Sequence, residues 1–208
     1  MSFIQSKQEE LLNALTHGLG VVLSILAYLV LVLNYEESKI DLFYISVYGL
    51  SLIILYSAST LYHSIHHNKY KIILRKLDHI SIYILISGTY TPVCVSVLKD
   101  SNGFLILGIV WTLTLIGLVL KIFFTGKFEK ISLLLYLIMG WLIVIDIDTF
   151  YQNVDTLTLW FLGLGGLFYT FGILFYIMHK LRYHHVIWHI FVLLGSLFHY
   201  LMILRVTT

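Results

Sequence analysis

The 208-residue chain is 59% hydrophobic and only 12% charged, with a mean hydropathy of +0.91. Soluble domains carry about 25% charged residues, so the composition excludes a soluble globular protein and indicates an integral membrane protein. The formal net charge is only +2, and with no basic stripe and no Gly-rich phosphate loop nothing suggests a nucleic-acid partner. The single cysteine, Cys94, can form no intramolecular disulfide.

Seven apolar stretches, each near the ~20 residues needed to cross a bilayer, follow one another: 12–33, 42–62, 77–98, 104–124, 131–147, 157–178 and 186–206. The first is preceded by the polar run Met1–Glu10 and followed by no small-residue cleavage site, so no cleavable signal peptide is expected. Pro92 falls inside the third stretch and is expected to kink it. The fifth is the shortest. The connections are short and polar, and none could hold a soluble domain. The expected fold is an all-α membrane protein, a single seven-transmembrane helix bundle over residues 1–208. Lys7, Lys69, Lys71, Arg75, Lys76, Lys121, Lys127, Lys130, Lys180 and Arg182 fall on one side, against Lys39, Lys99 and Arg205 on the other. That ten-to-three split places the N-terminus in the cytoplasm and, after seven crossings, the C-terminus outside.

With this orientation the ionisable residues of the spans crowd into the cytoplasmic leaflet. An ionisable group within a span is costly, which makes each a functional candidate. His185 and His189 are four apart, so a helix places both imidazoles on one face, about 40° and one turn apart, where they can grip one metal ion. His63 lies at the cytoplasmic end of the second span with Ser59 one turn deeper, and Asp78 lies near the entrance of the third. Three histidines from two helices, with an Asp and a Ser beside them, match an open zinc site in which water takes the fourth position. His63, His185 and His189 are the candidate ligands. Asp78 is the candidate general base, and Ser59 the candidate hydrogen-bond partner of the water or of a substrate oxyanion. The alternative is a polar cluster that only ties helices together or meets lipid head groups.

The remaining signals are weaker. Glu10, Asn13 and His17 recur at helical spacing in the first span. His17 is a candidate pocket-lining residue or replacement ligand, with Glu10 and Asn13 as its hydrogen-bond partners or as the start of the helix. His199 lies roughly 15 Å beyond His189 along a helix and cannot share its metal. His79 points about 100° from Asp78 and is expected at the interface. His66 and His67 are expected in solvent, and His179 and His184 at head groups. The glycines at 163, 165 and 166 are read as permitting close helix packing. The four tryptophans and many tyrosines are read as interface and packing residues.

Glu10-Leu-Leu-Asn13-Ala-Leu-Thr16-His17-Gly18, Ser59-Thr-Leu-Tyr-His63, Leu77-Asp78-His79, Gly88-Thr-Tyr-Thr-Pro92 and His185-Val-Ile-Trp-His189 together resemble the hemolysin III group of the progestin and adipoQ receptor family. The resemblance covers nearly the whole chain. It implies zinc at His63, His185 and His189, with Ser59 and Asp78 around it, as the spacing also suggests. The wider superfamily includes adiponectin receptors and alkaline ceramidases, so a lipid amide is an implied substrate class. The chain lacks the long N-terminal cytoplasmic domain of the receptor members, which argues against a hormone-receptor role.

The expected function is a zinc-dependent hydrolase of a lipid amide or ester in the plasma membrane, with a membrane lipid as substrate or ligand and no obligatory protein partner. Two alternatives use the same residues or the same family: a sensor or regulator with structural zinc, and a cytolysin-like protein that disrupts membranes. A transporter would need polar residues in both leaflets, and only His199 offers one in the outer leaflet.

Overall fold

Eight α-helices and one 3-10 turn make up the computed structural model, which describes residues 6–66 and 68–208. The helices are α1 (Lys7–Asn34), α2 (Leu42–Ser64), α3 (Asn68–Ser96), α4 (Gly103–Phe124), α5 (Glu129–Gly140), α6 (Ile147–Asn153), α7 (Thr156–Ile177) and α8 (His184–Thr207). No strand occurs among the described residues. Among the described residues, six segments are long and apolar enough to cross a membrane: α1, α2, α4, the α5–α6 segment Glu129–Asn153, α7 and α8. The remaining long helix, α3, has 29 residues. It is the most polar, with Lys69, Lys71, Arg75 and Lys76 at its start and Ser81, Ser87 and Thr91 buried further along. The chain is therefore a multi-pass helical membrane protein. His67 lies outside the described residues.

Helix α1 is packed inside-out relative to a helix of a soluble protein. On α1 the buried stripe is Asn13, His17, Gly20, Ser24 and Leu31, small or polar in four of five positions. Leu11, Leu15, Leu19, Val22, Leu26 and Leu33 on the same helix are all exposed. Lipid tails satisfy leucine as well as a protein core does, so helix contacts are left to small residues that let backbones approach and to polar residues that hydrogen-bond. Gly20 illustrates the first: a Cβ there would meet the Tyr56 ring of α2, with Cγ at 2.7 Å. Ser196 of α8 illustrates the second, joined to Tyr56 of α2 and Tyr169 of α7, each at 2.7 Å.

Neighbours in sequence pack side by side: α1 on α2, α2 on α3, α3 on α4, α7 on α8. Helix α8 also packs on α1 and α3, which closes the ring. The start of α1 is fixed by a capping box between Ser6 and Glu9. Pro92 lies within α3, and the helix continues past it to Ser96.

The fifth stretch departs from the expectation of one helix. It divides into α5, a 3-10 turn (Leu142–Asp146) and α6. The Tyr90 hydroxyl of α3 inserts at the break, accepting from the Ile143 N–H at 2.8 Å and donating to the Gly140 carbonyl at 3.0 Å. An unpaired backbone group in lipid costs several kcal/mol, and a single tyrosine satisfies two of those exposed by the break. The turn also brings Asp146 to the start of α4, where its carboxylate accepts from the Asn102 N–H at 2.8 Å and from Ser101 Oγ at 3.1 Å.

Candidate metal centre

One end of the bundle gathers the start of α1, the end of α2, the start of α3, the end of α4, the start of α5 and the start of α8. His63, His185 and His189 meet there, and one nitrogen or more from each lies within 4.8 Å of the others. The ring centroids are 5.2 Å apart for His63 and His185, 5.1 Å for His63 and His189, and 4.7 Å for His185 and His189. Nitrogens on one tetrahedral zinc ion lie about 3.4 Å apart, so these three, within 4.8 Å of one another, would have to draw together by up to about 1.4 Å to share one. The donor set fits the metal in chemistry as well. Imidazole nitrogens are donors that zinc accepts, and His63 Nε2 is buried with no hydrogen-bond partner. A buried nitrogen without a partner is costly, and a metal ion at this point would supply one.

A pocket of about 40 Å³ adjoins the histidines, lined by Ser59, Asp78, His17, His185 and His189 among others. One water needs about 10–15 Å³ of such space, so there is room for a few. Ser59, on the buried face of α2 one turn from His63, shares this pocket with Asp78 of α3, and its hydroxyl is buried without a hydrogen-bond partner. A second, larger cavity of about 120 Å³ lies between α3, α5, α7 and α8 and is overwhelmingly apolar. The two share Leu55, Ile82, Tyr136, Trp188 and Val192 as walls. The smaller and more polar of the two, beside the three histidines, thus adjoins an apolar cavity.

His17 lines the polar pocket but stands apart from the three candidate ligands. Its ring is stacked on His189, centroids 3.5 Å apart and planes 10° from parallel. Stacked imidazoles point their in-plane lone pairs side by side rather than towards a common point, so this geometry does not suit two ligands of one ion. Both His17 nitrogens are buried without hydrogen-bond partners. Of the two roles expected of Glu10, it has the place in the first turn of α1 and not the hydrogen bond to His17. Glu10 instead takes His63 Nδ1 at 2.8 Å and Lys71 Nζ at 2.8 Å, and it does not line the pocket. The sequence could not distinguish these, because Glu10 and His17 share a face of α1 while the rotation of α2 against that face is a tertiary fact. Asn13 is buried on the same stripe, and its backbone carbonyl lies 3.3 Å from His189 Nδ1.

His79 also differs from its expected interfacial place. It is buried and lines the polar pocket, with Nδ1 3.8 Å from Glu129. Glu129 is the acceptor that holds this corner: it takes Lys121 Nζ at 2.8 Å and the Gly126 N–H at 2.9 Å, and lies 3.6 Å from Arg75. Sequence reasoning passed over Glu129, Lys71 and Thr16. The one available signal for Glu129 was a lone carboxylate in a basic turn. His184 is buried, with Nδ1 3.1 Å from the Phe175 carbonyl, rather than at a head group. His179 and His66 are exposed. His199 is half-buried against α7, where a Cβ on Gly165 would meet its ring.

Comparison with known proteins agrees with the motifs. A family model described as Haemolysin-III related matches residues 5–200. The chain is 46% identical over 192 residues to the Hemolysin-3 homolog of Bacillus subtilis (strain 168), covering 91% of this chain and 90% of that protein. It is 44% identical over 196 residues to Hemolysin-3 of Bacillus cereus, covering 92% and 89%. A more distant similarity, 26% over 162 residues, links it to the monocyte to macrophage differentiation factor of Homo sapiens, covering 74% and 66%.

Proposed function

The chain belongs to the Haemolysin-III related family, the hemolysin III group of the progestin and adipoQ receptors, and on that premise we propose that it is a zinc-dependent hydrolase of a membrane-lipid amide or ester. It crosses the plasma membrane seven times, with the zinc site near the cytoplasmic face. The observation that carries this reading is the convergence of His63, His185 and His189 beside a pocket holding Asp78 and Ser59, next to an apolar cavity.

His63, His185 and His189 would hold the ion. Bound zinc supplies a Lewis acid that polarises a carbonyl and lowers the pKa of water towards about 7. The chain's own residues do the rest. The apolar cavity takes the hydrocarbon of the lipid and holds its carbonyl at the shared wall. Asp78 accepts a proton on its carboxylate as water adds to the carbonyl carbon. Ser59 donates a hydrogen bond to the carbonyl oxygen as negative charge develops there. Asp78 then returns the proton to the departing nitrogen or oxygen as the acyl bond breaks, so that one water is consumed and an acid plus an amine or alcohol is released. Neighbouring apolar walls exclude further water.

Metal analysis tests the premise. Protein purified in detergent with zinc in the buffer is expected to contain one zinc per chain, and His63→Ala or His189→Ala to contain little. A wild-type chain without zinc would remove the basis of the reading. The names of the Bacillus relatives suggest membrane disruption as a second function. That reading requires lysis to survive His189→Ala, whereas lysis that follows from altered lipids would disappear with the metal.

A further inference from the structure

The start of α1 contributes no candidate ligand, yet it meets the outer nitrogen of two of the three. Glu10 Oε2 lies 2.8 Å from His63 Nδ1, and Glu10 Oε1 accepts from Lys71 Nζ at 2.8 Å. Within the next two turns, Thr16 Oγ1 lies 3.2 Å from His189 Nδ1, and the Asn13 carbonyl lies 3.3 Å from it. The Thr16 hydroxyl proton is committed to the Leu12 and Asn13 carbonyls, at 2.9 and 3.0 Å. Towards His189 the Thr16 oxygen is therefore an acceptor, as the Asn13 carbonyl must be. Every oxygen facing these two Nδ1 atoms accepts a hydrogen bond. In the neutral form that binds a metal, an imidazole carries one proton, and these acceptors place it on Nδ1 of each ring and leave Nε2 with its lone pair. The unpartnered nitrogen of His63 is Nε2.

We propose that Glu10 is a positioning residue of the metal centre: its carboxylate fixes His63 as the Nδ1–H tautomer with Nε2 turned to the ion, and Lys71 of α3 holds that carboxylate in place. This rests on the metal reading above. A carboxylate behind a metal-bound histidine sets both tautomer and ring orientation, and loss of such a partner typically weakens metal binding ~10–100-fold. The side chains grade from the interior outward, His63 at 1% exposure, Glu10 at 14% and Lys71 at 24%. Lys71 also sits over the Tyr62 ring at 4.9 Å, which limits its freedom to leave. The carboxylate therefore has a partner on each side and little room to turn away from His63.

A glutamine in this place has one acceptor oxygen where two donors require one each. The full chain in detergent, titrated with zinc against a chromophoric chelator, reads the consequence. Glu10→Gln is expected to bind zinc ~10–100-fold more weakly, and its Co²⁺-loaded form to show altered visible absorption. Adding Lys71→Met releases the amide oxygen for His63, and most of the lost affinity should return. Glu9→Gln is the control. Glu9 ties α1 to the Tyr183 N–H at 3.0 Å and caps the helix, but makes no hydrogen bond to the three histidines; zinc affinity should not change. Wild-type affinity and an unchanged cobalt spectrum in Glu10→Gln would overturn the proposal. So would equal weakening in Glu9→Gln, or no recovery with Lys71→Met, since either reduces Glu10 to a tie between helices. If Glu10→Gln does not fold, Glu10→Asp takes its place: the shorter reach should weaken zinc binding, and unchanged affinity overturns the proposal. A wild-type chain that binds neither zinc nor cobalt overturns the metal reading itself, and this proposal with it.

Discussion

Under the proposed hydrolase reading a group must remove a proton from water, and Asp78, which lines the pocket with Ser59, is the candidate. Asp78→Asn keeps the shape and removes the base. Zinc should remain bound, because the three histidines are untouched. Turnover of the lipid substrate should fall by about 10²–10⁴, the usual contribution of general acid–base catalysis. Mass spectrometry of membranes with and without the protein identifies the substrate, and the variant is then assayed on it. Full activity in zinc-loaded Asp78→Asn would exclude the base role and leave zinc as structural. Glu129 is the other carboxylate of that pocket, but it is occupied: Lys121, at 1% exposure, depends on it. Removing one member of such a buried pair costs about 3–5 kcal/mol, so Glu129 is a structural acceptor first.

At the scale of single helices, glycine spacing has to be read together with what faces each position. The run containing Gly163, Gly165 and Gly166 in α7 reads from sequence as a packing seam, yet only Gly165 is close to α8. A Cβ there would meet the His199 ring, with Cγ at 2.9 Å, while one at Gly163 or Gly166 would meet nothing within 4 Å. Gly165→Ala should therefore cost about 1–3 kcal/mol by overpacking. Gly163→Ala should be neutral or gain about 0.4–1 kcal/mol through the unfolded state. Thermal unfolding in detergent, followed by tryptophan fluorescence, orders the two, and the reverse order would show that α7 and α8 do not meet on this face. The break between α5 and α6 was hidden for a related reason. Leu142–Asp146 is as apolar as its neighbours, and what interrupts the helix there is Tyr90, a residue fifty positions earlier in the chain.

Across the whole molecule, the sequence made legible whatever follows from hydropathy, charge bias and spacing along one helix. These account for the apolar stretches, the His185–His189 pair and the sorting of polar residues to one end. They do not set the rotation of one helix against another, which is why the Glu10–His63 bond, the stacking of His17 on His189 and the burial of His79 were not readable. The same distinction applies to topology. Lys71, Arg75 and Lys121 gather at the histidine end, in contact with Glu10 and Glu129. At the other end lie Lys39, paired with Glu36, and Arg205, hydrogen-bonded to Asp155. Helix α1 starts at the histidine end, and α8 finishes at the other, where the Thr207 carbonyl accepts from the Glu36 N–H at 2.8 Å. With the basic end in the cytoplasm, a reporter that is active only in the cytoplasm should work when fused before Ser2 and fail after Thr208. A reporter active only outside the cell should do the reverse. Both ends on one side would mean an even number of crossings. The polar α3 or the broken α5–α6 segment would then fail to span the membrane, and the histidines could not share a leaflet with the charges that now surround them.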